Sequence, residues 1–199
     1  SRAYVAGRIR AGLLEWGSVE TLRAAGVGAR MDRDGIPDDG VVLASQHGDF
    51  RIDIKALTGK RMMIYGQTEI TADLFSARDA MNGVIIDEVE GVRPHGLDTG
   101  APHVTYSKGG TSYRIDCDWV IGCDGYHGVS RTCIPSDTLK TFERISPFGW
   151  LGVLSETPPV SREIVYANHP RGFALCSLRN EMLSRYYVQV PADDAVVGW

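Results

Sequence analysis

Cysteine is scarce in this chain, and none of it is grouped. Cys117, Cys123, Cys133 and Cys176 make no C-x-x-C pair and stand beside no histidine-rich tract. That excludes the usual zinc frameworks, and no metal ligand is assigned. The four read instead as reduced thiols of a cytoplasmic protein. No apolar run approaches the ~20 residues of a membrane span, and no signal-peptide pattern is read at the start. A basic block is missing too, and the net charge is −4, so no nucleic-acid surface is expected. The sequence carries no repeat, no low-complexity segment and no G-x-G-x-x-G phosphate loop.

What is present suits a globular protein. The 199 residues are 43% hydrophobic, enough for a core and room for one large or two small domains. Apolar spacing over 11–25 predicts two short helices broken at Gly17 and Ser18, with Ser18 as a cap and Gly26 as a stop. Val41–Ser45 and Phe50–Ile54 read as a hairpin around His47-Gly48-Asp49, and Arg61–Tyr65 as a strand. An amphipathic helix is expected over Thr68–Met81, then a strand over Val84–Ile86. His103–Ser107 and Ser112–Cys117 make a second hairpin across Lys108-Gly109-Gly110. From Ser146 the pattern is β-rich: Trp150–Ser155, Glu163–Ala167, Phe173–Leu178 and Tyr186–Val190. The expectation is a mixed α/β chain with a boundary near residue 145.

The densest signal is Trp119–Arg131, WVIGCDGYHGVSR. Trp119–Ile121 reads as a buried strand entering an Asp124-Gly125 turn. Gly128 to Ile134 reads as a helix whose first N–H groups could meet phosphate or ribose oxygens. An Asp-Gly pair alone fits a plain turn as well. Two arginines before a small Ala-Gly pair, in GRIRAG (7–12), suit a loop beside an anion, or else a solvated basic turn. Ser177 and Arg179 are two apart, so on a strand they share a face. A hydroxyl and a guanidinium on one face make a carboxylate receptor.

Six runs carry a resemblance: GRIRAGLLEWG (7–17), YGQTEITADL (65–74), IGCDGYHGVSR (121–131), FERISPFGWLG (142–152), YANHPRGFALCS (166–177) and SRYYVQVP (184–191). They span nearly the whole chain and are similar to the single-component flavoprotein aromatic hydroxylases. The resemblance implies an FAD-binding Rossmann-like domain lacking its first βαβ unit, over residues 1–145, plus a mixed, largely antiparallel substrate sheet over 146–199. Residues about 40–66 are expected to lend strands to that sheet, and the chain reads as an internal piece of a longer enzyme. It implies FAD at Arg8, Ile9, Arg10, Ala11, Gly12, Leu13, Gln67, Asp124 and Gly125, and NADPH at His127 and Arg131, with Arg8 in reach of either cofactor.

The same resemblance puts a substrate carboxylate at Ser177, Leu178 and Arg179 with help from Tyr187. It puts the substrate phenol at Tyr166, and a positive field at Arg185. The implied reaction takes 4-hydroxybenzoate to 3,4-dihydroxybenzoate with NADPH and O2. A related hydroxylase of another hydroxybenzoate or phenol, and a non-catalytic binder of aromatic acids, stay open on the residues alone. No membrane partner is implied, and the family suggests a homodimer.

Overall fold

A computed structural model describes residues 1–8 and 11–194. In chain order the elements are α1 (Arg2–Ala6), β1 (Leu13–Leu14), α2 (Trp16–Ala24), α3 (Ala29–Asp34), β2 (Ile36–Asp38), β3 (Gly40–Ser45) and β4 (Gly48–Asp53). Then follow α4 (Ile54–Thr58), β5 (Met62–Ile64), α5 (Gln67–Ala80), β6 (Glu90–His95), β7 (His103–Lys108) and β8 (Thr111–Asp116). A 3₁₀ turn over Ser130–Cys133 precedes β9 (Phe148–Ser155), β10 (Ile164–His169), β11 (Gly172–Asn180) and β12 (Leu183–Pro191). This is a mixed α/β architecture with three sheets.

The chain forms two compact units. One is Val84–Arg144 with Ser1; the other joins Arg2–Gly83 to the residues from Ile145 onward. One break falls between Arg144 and Ile145, and a second, between Gly83 and Val84, joins residues 2–83 to the late strands. The physical reason is strand pairing: β3 lies parallel to β10, Val41 opposite Ile164, so an early hairpin and the late strands share one sheet. Its order is β4-β3-β10-β11-β12-β9, and every other pair in it is antiparallel. Arg51 on β4 donates to both carboxylate oxygens of Glu163 at 2.6 Å, beside the start of β10.

In the same unit β1, β5 and β2 form a small antiparallel sheet. Its apolar face packs on α2, α3 and α5, where Val19, Met31, Met63 and Tyr65 form a buried cluster flanked by Leu14, Trp16, Leu22 and Ile70. Helical spacing over 11–25 is overruled here. Leu13 and Leu14 pair with Ile64 and Met63, so the segment begins as strand, and α2 starts after Glu15 rather than at a Ser18 cap. The helix stop holds: Gly26 adopts φ 75° and its N–H bonds Arg23 O at 2.9 Å.

The first hairpin closes two residues early, with Ser45 opposite Gly48, and α4 begins at Ile54, the last residue of the expected strand. In the other unit β6, β7 and β8 form a meander, turned at Gly109 and Gly110, both at positive φ. Val84–Ile86 is not a strand. Neither is Trp119–Ile121: Trp119 is 84% exposed and Ile121 82% exposed. Its apolar run finds no neighbouring strand among the described residues, and a strand without a ladder is not formed. The expected helix after Gly128 is only the 3₁₀ turn.

Candidate active site

The site grows from a short strap of backbone. Tyr65 N–H donates to Gly12 O at 2.8 Å, and Gln67 N–H donates to Ala11 O at 2.9 Å. With the β1–β5 pairing, these bonds hold Ala11–Leu13 against the entry to α5. A cavity of about 110 Å³ is walled by Ala11, Gly12 and Leu13 and by side chains of β5, β10, β11 and β12. That is the order of size of an apolar cavity known to take a benzene ring, ~150 Å³.

Strand register explains which side chains meet there. Tyr166, Leu175 and Tyr187 face one another across β10, β11 and β12. Because side chains alternate, Ser177 and Arg185 form the next row on the same face. The β11–β12 register shifts between Leu178 and Asn180, and Arg179 also reaches the cavity, as does Leu178. Thus Tyr166, Ser177, Leu178, Arg179, Arg185 and Tyr187 line one space with Ala11, Gly12 and Leu13. No carboxylate lines it among the described residues.

The cavity is electropositive. Arg185 is 3% exposed, and its guanidinium lies 4.1 Å over the Tyr187 ring. Burial, and then the neighbouring Arg179 charge, pull the Arg185 pKa down to about 10. Burial lowers Arg179 as well. At about 10, Arg185 remains a cation at neutral pH. Ser177 Oγ donates to Arg185 O at 3.4 Å.

A second cavity, of about 340 Å³, adjoins Arg179 and is lined also by Gly7, Arg8, Gly66, Thr68 and Glu69. Arg8 bonds the Tyr4 hydroxyl at 3.0 Å. Cations and glycine backbone free of Cβ atoms suit a phosphate-bearing cofactor, and the Glu69 carboxylate in the lining is held by Arg30. Gln67 meets the strap through its backbone, while its side chain is exposed and lines neither cavity. Ile9 and Arg10 lie outside the described residues.

The remaining expected cofactor residues belong to the other unit. Asp124 accepts from Ser130 N–H at 2.8 Å, which holds its carboxyl below the usual range. Gly125 has φ 70°, so the turn is real although no strand feeds it. The His127 ring meets Tyr126 edge-on at 5.0 Å, and Arg131 lies 4.8 Å over Tyr126. The turn is a closed local motif rather than a helix N-terminus.

The sequence reading passed over the apolar walls Ile64, Ile164 and Leu175. Period-two counting from Tyr166 and Ser177 points to the last two. It also passed over a polar brace behind the strap. Arg30 donates to Asp73 at 2.5 Å and to Glu69, and Tyr65 OH donates to Asp73 at 2.6 Å. Burial, then the Asp73 bond, raises the Tyr65 pKa. Its sequence signal is the i, i+4 pair Glu69 and Asp73 on α5.

With this geometry in view, three comparisons bear on the chain. A family model described as an FAD binding domain matches residues 1–199. The p-hydroxybenzoate hydroxylase of Acinetobacter baylyi is 49% identical over 200 residues, covering 100% of this chain and 49% of that protein. The chain therefore spans about half the length of this curated relative. Among solved structures, p-nitrophenol 4-monooxygenase PnpA of Pseudomonas putida superposes with TM-score 0.78 at 14% identity, covering 96% of this chain and 50% of that one. A mutant of PqsL from P. aeruginosa gives 0.75 at 18%, with 96% and 52% covered. These two likenesses show a shared fold.

Proposed function

The chain belongs to the FAD binding domain family, and from that premise we propose that it is the central part of an FAD-dependent monooxygenase. On this reading the enzyme converts 4-hydroxybenzoate to 3,4-dihydroxybenzoate with NADPH and O2. The observation that carries the reading is the single cavity that gathers Tyr166, Ser177, Arg179, Arg185 and Tyr187. Its 49%-identical relative is named for the same substrate.

The residues divide the substrate between them. Arg179 and Ser177 take the carboxylate, each charge-assisted bond worth ~1.5–3 kcal/mol. The aromatic ring lies against Leu175, Ile164 and Tyr187. Tyr166 meets the phenol as the first member of a proton relay, taking the substrate's proton as it passes its own onward. Hydroxylation needs an electron-rich ring, and a phenolate serves far better than a phenol. Lowering a phenol from pKa ~10 to ~7.5 takes about 3.4 kcal/mol. A single neutral hydrogen bond supplies ~1 kcal/mol. The buried Arg185 cation, acting in a low-dielectric cavity, supplies part of the rest.

FAD, when bound, supplies the hydride-accepting and oxygen-activating chemistry. Arg8, the Ala11–Leu13 strap and Gln67 are the residues proposed to hold it, and the strap's glycine fits a close approach. Asp124 and Gly125 are proposed to border the same cofactor, and His127 and Arg131 to receive NADPH.

The test is Arg179→Ala in the full-length enzyme. The substrate KM should rise about 10- to 100-fold, the loss of one to two charge-assisted bonds. An unchanged KM would remove the carboxylate role, and with it the case for a hydroxybenzoate.

A further inference from the structure

We propose that Gly12 is a specificity-determining position. Its missing side chain forms the seat in which the Arg179 guanidinium lies, and that seat sets the carboxylate end of the substrate cavity. The inference rests on the reading of Arg179 as the carboxylate receptor.

A Cβ built on Gly12 would overlap the guanidinium, 2.5 Å from Arg179 Cζ and 3.1 Å from Nη2. One built on Gly66 would stand 3.6 Å from Nη1. The planar cation therefore rests between two glycine backbones. Gly12 is not among the residues at positive φ, so the requirement is space and not conformation. The strap has no room to retreat, because Gly12 O and Ala11 O are held by Tyr65 and Gln67 N–H groups and Leu13 is paired with Ile64.

The obstructing atoms are the far end of a flexible side chain. An added methyl at position 12 is accommodated by moving the guanidinium, with the fold kept. A destination exists. Arg179 also borders a cleft lined by Asp34, Glu69 and Arg30, where Glu69 holds Arg30 and Asp34 holds Arg33, so the cleft offers the displaced guanidinium space among already paired charges. The arginine would then leave the substrate cavity, and the site would lose its preference for an acid over a neutral phenol of the same shape.

The experiment measures dissociation constants by calorimetry on FAD-loaded, full-length protein. The two probes are 4-hydroxybenzoate and its neutral amide, 4-hydroxybenzamide. Gly12→Ala should lower the acid-over-amide preference about tenfold or more, as Arg179→Ala does. In an Arg179→Ala background, Gly12→Ala should change the preference no further.

If Arg179→Ala lowers the preference and Gly12→Ala keeps it, the inference falls while the carboxylate reading stands. If Arg179→Ala keeps the preference, the reading itself falls. An undiminished Gly12→Ala effect in the Arg179→Ala background also overturns the seat. Should Gly12→Ala alone fail to load FAD, recovery of loading in the double variant supports the seat, and failure in both overturns it.

Discussion

Two guanidinium groups within one small cavity make charge the governing property of single residues here. Arginine tolerates this because burial lowers Arg185 only to about 10, so the cation persists through the working pH range. A lysine starts from ~10.4, and a comparable downward shift would bring it near ~8. In Arg185→Lys the proposed field should fade as pH rises through that value. Substrate affinity measured from pH 7 to 9 should then rise in the parent, as the bound phenol gives up its proton, and lose that rise in the variant. Parallel profiles would dismiss the field. Tyr166→Phe addresses the other end of the substrate. Binding should change by less than about threefold, whereas NADPH oxidation should uncouple from product and release hydrogen peroxide. Full coupling in that variant would sink the proton-relay role. At this scale the sequence was informative, since Ser177 and Arg179 could be placed on one face by counting in twos, while Tyr187 entered only through the resemblance. Gly12 was legible only as a small residue in a loop, because its partner Arg179 lies far along the chain.

Among elements, long periodic segments declared themselves and short ones did not. The α5 helix and the four late strands follow their apolar patterns closely. By contrast β1 is two residues long, and only its pairing with β5 makes it a strand. The Trp119–Ile121 run errs in the opposite direction, with strand-like residues but no ladder beside them. At the junction of elements lies Asp38, on β2 and 2% exposed. Its carboxylate accepts from Gly40 N–H at 3.2 Å, yet burial raises its pKa overall. The folded state thus holds this proton more tightly than the unfolded chain. Stability falls as pH rises from the ordinary aspartate value through the raised one, and the cost persists above it. Asp38→Asn cannot titrate. Relative to the parent, its urea midpoint should therefore improve on going from pH 4 to pH 7. An equal difference at both pH values would show that ionisation of Asp38 is not involved.

For the whole molecule, the joining of early and late strands was legible only through the resemblance, which expects residues about 40–66 to lend strands to the late sheet. It depends on a pairing between residues 41–45 and 164–168 that no local window contains. The unit Val84–Arg144 also carries bare apolar side chains, Trp119 and Ile121 with Phe142 at 92% exposed. Surfaces of that kind recruit other apolar surfaces. The isolated 199-residue chain should bind the dye ANS and sediment with a concentration-dependent mass. Trp119→Lys with Ile121→Lys should reduce both signals, and unchanged signals would place the stickiness elsewhere.

The parallel contact of β3 with β10 has a consequence in time. Val41 and its partner Ile164 are 123 positions apart. A ribosome adding about 5–20 residues per second needs roughly 6–25 s to cover that distance. Throughout that interval β3 has β4 on one flank and an open ladder on the other. The newborn chain must wait with a sticky hydrogen-bonding edge exposed, and this is the stage at which a chaperone would matter most.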